Sequence, residues 1–269
     1  MFIIGERLNS TRKSIKAFME ARDVDAIKNE AKSQAEAGAN IIDINAGAFV
    51  GKELEYFIWL MDIVQETVDL PLSLDSPDSA VIEEGLKRHK NGKPMINSIT
   101  GEEKKLKVLL PLFKKYDCSA IALCLDDNGI PETAEKKFEL ASKLIELFTS
   151  EGIKPENIYV DPIIQPVSTG RHFGPALLNA VQMIKEKYPD VHTICGLSNV
   201  SYGLPYRKHI NRIFLAMAMA KGLDSVILDP CDEKIMATLF AANTLLGKDE
   251  YCKNYLKAKR DGRLECVSS

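Results

Sequence analysis

The sequence predicts an α/β fold in which a single domain, residues 1–269, forms a (β/α)8 TIM barrel. Three observations predict it. Short apolar runs of strand character alternate strictly with helical stretches, which implies parallel strands joined by helical crossovers. The alternation completes eight such units with no strand left over, which implies closure rather than an open sheet. The chain has 269 residues, 45% of them apolar, the usual length for one barrel with a large core. No Gly-x-Gly-x-x-Gly follows the first strand, which argues against an open doubly wound sheet with a dinucleotide site.

Residues 2–6 read as the first strand, and 13–21 as a short accessory helix. Asp23 is placed to cap the next helix, where Val24, Ile27, Ala31 and Ala35 recur at a spacing of three or four before Gly38 stops it. The second strand is 41–45. The helix behind it contains Tyr56 to Val64, apolar nearly all round and so expected to be well covered. The third strand is 71–76 with a helix over 78–89, and the fourth is 94–98. Thr100 and Glu103 make a capping-box pattern for the helix that follows, and Glu102 to Lys107 read as its solvated face. The fifth strand is 120–125. Phe138, Ala141, Leu144, Ile145 and Phe148 mark the inner face of a helix ending near Gly152. The sixth strand, 158–162, precedes a helix over 175–187. The seventh, 192–196, precedes an apolar helix from Ile213 to Ala220 closed by Gly222. The eighth, 225–229, precedes a helix over 233–246. Residues 248–269 form a short C-terminal helix and a charged tail.

Barrels of this kind carry their active sites at the C-terminal ends of the strands. Four strands end in polar groups, Asn45, Asp75, Asn97 and Asp161. A fifth, Thr193-Ile194-Cys195, runs through Gly196 to the polar tip Leu197-Ser198-Asn199-Val200-Ser201. Any one of these serves equally well as a helix cap or turn former. Their coincidence on one face implies a pocket. Asp43, in mid-strand, reads as structural. Asp75 and Asp161 accept N–H donors in pairs, and Asn97 and Asn199 each offer one acceptor and two donors. That set suits a flat, neutral heterocycle with an amino-pyrimidine edge, and rejects ligands that would leave its buried groups unpaired. Neither a phosphate-binding Lys/Arg cluster nor a His/Cys set for a metal ion is present.

Net charge is −3, which gives no basic surface for nucleic acid. The start of the chain lacks a signal-peptide pattern, and no run approaches the ~18 apolar residues of a membrane span. The six cysteines, 118, 124, 195, 231, 252 and 266, form no CxxC pair. Several lie in apolar strands, where cysteine acts as a small hydrophobe. A cytoplasmic protein is expected, with neither nucleic-acid nor membrane partners. His89 and His209 read as surface helix residues.

The runs Gly5-Glu6-Arg7-Leu8-Asn9, Leu74-Asp75-Ser76, Ile96-Asn97-Ser98, Asp161-Pro162 and, above all, Gly196-Leu197-Ser198-Asn199-Val200-Ser201 resemble the pterin-binding methyltransferases. The likeness covers nearly the whole chain in order. It is greatest to the methyltetrahydrofolate:corrinoid/iron-sulfur protein methyltransferases. The folate domain of cobalamin-dependent methionine synthase and dihydropteroate synthase are more distant. The resemblance implies a barrel, usually homodimeric, that moves a methyl group between N5 of methyltetrahydrofolate and the cobalt of a corrinoid protein, in either direction. The cobalamin would ride on that separate partner.

Carried over position by position, the resemblance has Asp75, Asn97 and Asp161 bind the pterin edge. Gly196 and Ser198 line the pterin site, and Asn199 approaches N5 as the catalytic amide. Arg207 is either a pocket residue facing a carboxylate or one half of a salt bridge at a helix start. One departure stands out: Tyr202 occupies a position where the family has an amide, so the rim loop Tyr202-Gly203-Leu204-Pro205-Tyr206 is more aromatic and bears on partner choice. The rim loop from Gln165 to Gly174 is either a solvated loop or a contact for the folate tail or the partner. Asp190-Val191-His192 begins like a cobalamin-binding Asp-x-His-x-x-Gly signature, but Gly196 comes one residue late. Two alternatives stay open, a dihydropteroate synthase-like enzyme and a non-catalytic folate-binding subunit. The first is disfavoured because the eighth strand ends in Asp229-Pro230-Cys231.

Overall fold

The structure, a computed structural model, describes residues 1–265. Eight parallel strands form one sheet: β1 (Phe2–Asn9), β2 (Ile41–Asn45), β3 (Leu72–Asp75), β4 (Met95–Thr100), β5 (Ser119–Leu123), β6 (Ile158–Asp161), β7 (His192–Thr193) and β8 (Ser225–Leu228). Each strand pairs with its sequence neighbour, and β1 also pairs with β8. The last seam, between the ends of β7 and β8, is closed by a parallel bridge between Gly196 and Ile227, with the Ile227 N–H donating to Cys195 O at 3.0 Å. The chain is therefore the (β/α)8 barrel that the alternation predicts.

Among the described residues, ten α-helices surround or flank the strands: α1 (Lys13–Glu20), α2 (Val24–Ala37), α3 (Glu53–Thr67), α4 (Ser79–Arg88), α5 (Glu103–Lys115), α6 (Ala134–Ser150), α7 (Phe173–Lys187), α8 (Arg207–Ala220), α9 (Glu233–Leu245) and α10 (Lys253–Arg260). Asp23 caps α2 as expected, accepting from Ala26 N at 3.0 Å. Gly38 ends that helix at φ +104°, a left-handed conformation that favours glycine. The apolar faces of the helices pack on the outside of the sheet, where Phe57, Leu60, Leu144 and Phe148 are among the fully buried side chains.

Three expectations are corrected. Thr100 belongs to β4 rather than capping α5; its hydroxyl donates to Glu102 Oε2 at 2.9 Å, and Glu103 N is taken by Asp127 Oδ2 at 3.2 Å. A strand ladder already satisfies the backbone at residue 100, so the helix starts later. His89 is half-buried at the end of α4, where its Nε2 accepts the Leu72 N–H at 3.1 Å; His209 is exposed, as expected. The seventh strand ladders only over His192–Thr193, because the chain turns at Gly196 into a 3-10 segment, Leu197–Ser201. The expected short C-terminal helix is present as α10, and Cys266 and the end of the tail lie outside the described residues.

Candidate active site at the barrel mouth

Strand side chains alternate, so residues two apart share a face. The columns pointing into the barrel are Ile4–Glu6, Ile41–Asp43–Asn45, Ser73–Asp75, Met95–Asn97, Tyr159–Asp161 and Ile194–Gly196. Their lower members Ile4, Ile41, Met95, Tyr159 and Ile194 pack together as the inner core. Their upper members are polar and collect at the C-terminal mouth. Cross-strand register levels three of them, pairing Asn45 with Asp75 and Asp75 with Asn97. The structure thus sets the predicted Asp75 and Asn97 side by side, with Asp161 ending β6 at the same mouth.

Two irregularities shape this mouth. Between Gly5 and Leu8 the first strand carries one residue more than β2, and between Ile96 and Ile99 β4 carries one more than β5. Extra residues of this kind bend a strand and re-aim its side chains, and they recur beside active sites. Here they fall at Glu6-Arg7 and Asn97-Ser98. Arg7 turns to Glu30 and Asp229, with Nε–Oε2 and Nη1–Oδ2 distances of 2.6 and 3.1 Å, while Glu6 stays at the mouth.

A web of hydrogen bonds holds the acids and amides in place. Asn45 Nδ2 donates to Asp75 Oδ2 at 2.9 Å, and Asn45 Oδ1 accepts from Ser10 Oγ and Gly47 N. The Asn97 amide donates to Asp43 Oδ1 at 3.0 Å, and Ser73 Oγ donates to the same oxygen at 2.6 Å. Asp161 Oδ1 accepts Ile163 N at 2.7 Å. Among the described residues, Asp75 Oδ1 and Asn97 Oδ1 make no hydrogen bond, which leaves acceptors for a ligand. Asp43, expected to be structural, sits in direct contact with Asn97; its place two residues before Asn45 in a strand was the signal that it points inward.

Burial governs the charges here. It raises Asp161 to about 6, against the lowering by the Ile163 and Gly196 N–H groups and by Lys137. Burial also raises Asp43 to about 6, although Ser73 and Asn97 bond to it. Asp75 is pushed well up by burial and by the neighbouring Asp43 and Glu53 carboxylates. Glu6 is raised to about 7, first by burial and then by Asp229, with Arg12 and Arg207 opposing. Carboxyls in a dry, acid-rich mouth resist ionising, and such shifts mark candidate functional groups. The sequence reading passed over Glu6 as a site residue; its position at the end of the first strand was the available signal.

The tip after β7 completes the site. A Cβ on Gly196 would lie 3.3 Å from Asn199 Nδ2, so glycine lets the amide fold back over the strand end. Asn199 is exposed, and its side chain makes no hydrogen bond among the described residues. Its backbone is anchored, with N donating to Gly196 O at 3.2 Å and O accepting Tyr202 N at 3.1 Å. Ser198 is half-buried beside it. Among the described residues Arg207 forms no salt bridge with a carboxylate. It donates through Nη2 to Ser198 O at 2.6 Å and through Nε to Ser201 Oγ at 3.1 Å, because the 3-10 turn presents those oxygens to the start of α8. Tyr202 is exposed on the rim, its carbonyl accepting Ser168 Oγ at 2.7 Å, and Val167 N donates to Val200 O. The 165–174 loop is thereby tied to the Asn199 tip. Next to the tip, a cavity of about 380 Å³ opens between Glu6, Arg12, Ser198, Arg207 and Asn211.

Among the described residues no group of three or more His, Cys, Asp or Glu is placed to hold a metal ion, and no helix is long and apolar enough to cross a membrane. His192, from the Asp-x-His-like run, stacks on Tyr159 at 4.6 Å and faces Asp224.

The model of the family described as pterin binding enzyme matches residues 5–229, which include every site residue above. The chain belongs to the pterin-binding enzyme family. Within reach of that family, it is 41% identical over 272 aligned residues to the methylcorrinoid:tetrahydrofolate methyltransferase of Eubacterium limosum, covering 100% of both chains. It is 32% identical to methionine synthase of Mycobacterium tuberculosis over 85% of this chain but 20% of that protein. Among solved pterin-binding structures, dihydropteroate synthase from Clostridium difficile superposes with a TM-score of 0.72 at 22% identity, covering 91% of this chain and 96% of that one. That last likeness concerns the fold.

Proposed function

We propose that this protein is a methyltransferase that moves a methyl group from a methylated corrinoid, carried on a separate protein, to N5 of tetrahydrofolate. One observation carries the reading. The acids and amide Asp75, Asn97 and Asp161 end their strands at the barrel mouth where the chain also turns into the exposed Asn199 tip, in a chain that aligns end to end with a methylcorrinoid:tetrahydrofolate methyltransferase.

The chemistry follows from what each group offers. Asp75 and Asp161 accept the N–H donors of the pterin edge, and Asn97, its amide already spent on Asp43, presents Oδ1. Gly196 and Ser198 line the ring. The docked corrinoid supplies the methyl group, whose bond to cobalt breaks with both electrons left on the metal. Asn199 orients N5 and hydrogen-bonds it as charge changes there, which assists if the bond is stronger in the transition state. Glu6, near 7, is matched to hold the proton that N5 gives up, since a general base works best with a pKa near the working pH. The same residues serve the reverse transfer.

The open rim with Tyr202 and Tyr206, both exposed, suits the docking of the corrinoid protein. The outer face of α8, where Ile213 and Met217 stand half-exposed, is a candidate homodimer face, and sedimentation would test it. Buried unpaired Cys118, Cys124 and Cys195 suit a reducing cytoplasmic location. A dihydropteroate synthase activity fits less well. Arg7 and Arg12 are drawn to Asp229 at the eighth strand end, 3.1 and 3.6 Å away, so those cations are engaged by a carboxylate rather than free for a pyrophosphate.

Stopped-flow absorbance of methylcobalamin mixed with tetrahydrofolate and the protein tests the reading, beside the reverse mixture of cob(I)alamin and methyltetrahydrofolate. Conversion in either direction, also with a corrinoid protein as substrate, supports it. Tight folate binding without any transfer would leave a binding subunit instead.

A further inference from the structure

Lys137 is fully buried and stands in the first turn of α6. Both facts run against ordinary preference. Lysine is almost never fully buried unless paired, and the positive end of a helix dipole disfavours a cation. Burial lowers its pKa to about 8, yet Lys137 has no salt bridge within 4.0 Å among the described residues. Its Nζ instead donates to two backbone carbonyls, Pro162 O and Ile163 O, each at 2.7 Å.

Those carbonyls belong to the turn that carries Asp161. Ile163 adopts φ +55°, a conformation rare and strained for a β-branched residue. The strained residue is gripped at both ends: its N–H donates to Asp161 Oδ1 at 2.7 Å, and its carbonyl accepts from Lys137. Pro162 is buried, and its carbonyl accepts from the ammonium. On the other side, Asp161 O accepts Cys124 N at 2.9 Å. Asp161 is thus fixed from β5, from its own turn, and from α6 through Lys137.

We propose that Lys137 is a positioning residue for pterin binding: its buried ammonium clamps the 162–163 turn and keeps the Asp161 carboxylate aimed and ionised toward the ligand. The inference rests on the pterin reading of the site. The groups that face this pair are few. Lys137 meets Cys124 after β5, Asp161 on β6 and Glu132 in the loop before α6, with His172 3.9 Å beyond Glu132. Asp161 meets Lys137, and the buried Cys124 and Cys195 thiols face it. Both thiols are pushed up by burial and stay neutral, so the ammonium is the charge that favours the carboxylate.

The test is the dissociation constant of tetrahydrofolate as a function of pH, by fluorescence or calorimetry, for the wild type and Lys137→Met. In the variant, Kd at neutral pH is expected to rise about tenfold, and the loss of binding on acidification to begin about one pH unit higher, since Asp161 keeps its proton longer without the cation. The wild type should also bind more weakly as pH rises past about 8 and Lys137 is deprotonated, a limb absent from the variant. Lys137→Arg, which keeps the charge, should retain the wild-type acid limb. A folded Lys137→Met protein with unchanged Kd and pH profile overturns the proposal. If that variant does not fold, a wild-type Kd flat from pH 7 to 10 overturns it. Wild-type protein that binds no tetrahydrofolate at any pH would instead strike at the pterin reading itself.

Discussion

The Asn97 amide donates to the Asp43 carboxylate at 3.0 Å, one strand-layer below the mouth. The bond fixes which way Asn97 faces, because an amide with one N–H committed below presents its oxygen above. Asp43→Ala removes that choice. Tetrahydrofolate binding should weaken by about 10- to 100-fold, the size of one unpaired buried polar group. Asp43→Asn, which keeps an acceptor oxygen, should weaken it less. Calorimetric titration of the two variants checks the order.

Asn199 has no side-chain partner among the described residues, so removing it leaves nothing unsatisfied in the fold. Asn199→Ala should keep the wild-type melting temperature and change tetrahydrofolate affinity by less than about tenfold. The transfer rate should fall by about 10²–10³, the usual loss for one transition-state donor. Single-turnover transfer beside equilibrium binding separates the two effects.

Glu6 gives the reaction a pH signature. With its carboxyl near 7, it carries a proton below that pH and accepts one above. Transfer from methylcorrinoid to tetrahydrofolate, which releases a proton from N5, should therefore quicken as pH rises through about 7. The reverse transfer, which needs that proton back, should slow over the same range. Glu6→Gln should flatten both limbs. Rates from pH 5.5 to 8.5 in both directions check the sign.

The acids also set stability. Asp75 is raised by burial and by Asp43, so the folded protein holds a proton there that the unfolded chain releases. That contribution is present at low pH and is lost as pH rises through the folded value. Asp75→Asn should raise the melting temperature of the ligand-free protein at pH 7.5 by about 2–4 °C, on the order of 1 kcal/mol, while abolishing tight pterin binding. The gain should shrink as the pH is lowered. Thermal melts at several pH values check it.

His89 works in the opposite sense. Burial lowers it to about 4, and its neutral Nε2 accepts the Leu72 N–H at the start of β3. Its contribution is complete above the ordinary value of 6.5 and is lost as pH falls from there toward about 4. His89→Ala should cost about 1–3 kcal/mol at neutral pH through the orphaned N–H, with a smaller difference from wild type at pH 4.5. Urea unfolding at the two pH values checks it.

Much of this protein is legible in its sequence because it depends on local chemistry. Strict alternation of apolar strands with helices dictates parallel pairing, and eight complete units dictate closure. Period-two alternation sends Asp75, Asn97 and Asp161 to the same face as the buried Ser73, Met95 and Tyr159 two positions earlier. A cap such as Asp23 and a stop such as Gly38 act within four residues of where they stand. What only the tertiary structure decided involves residues far apart in the chain. An extra residue in β1 or β4 shows only against the partner strand, so the turning of Arg7 toward Glu30 and Asp229 could not be read in advance. Arg207 found a carbonyl and a hydroxyl oxygen rather than a carboxylate because the turn after β7 faces the start of α8. Lys137 acquires its role from two carbonyls about 25 residues away, and the raised carboxyls exist only once the closed barrel takes water away from them.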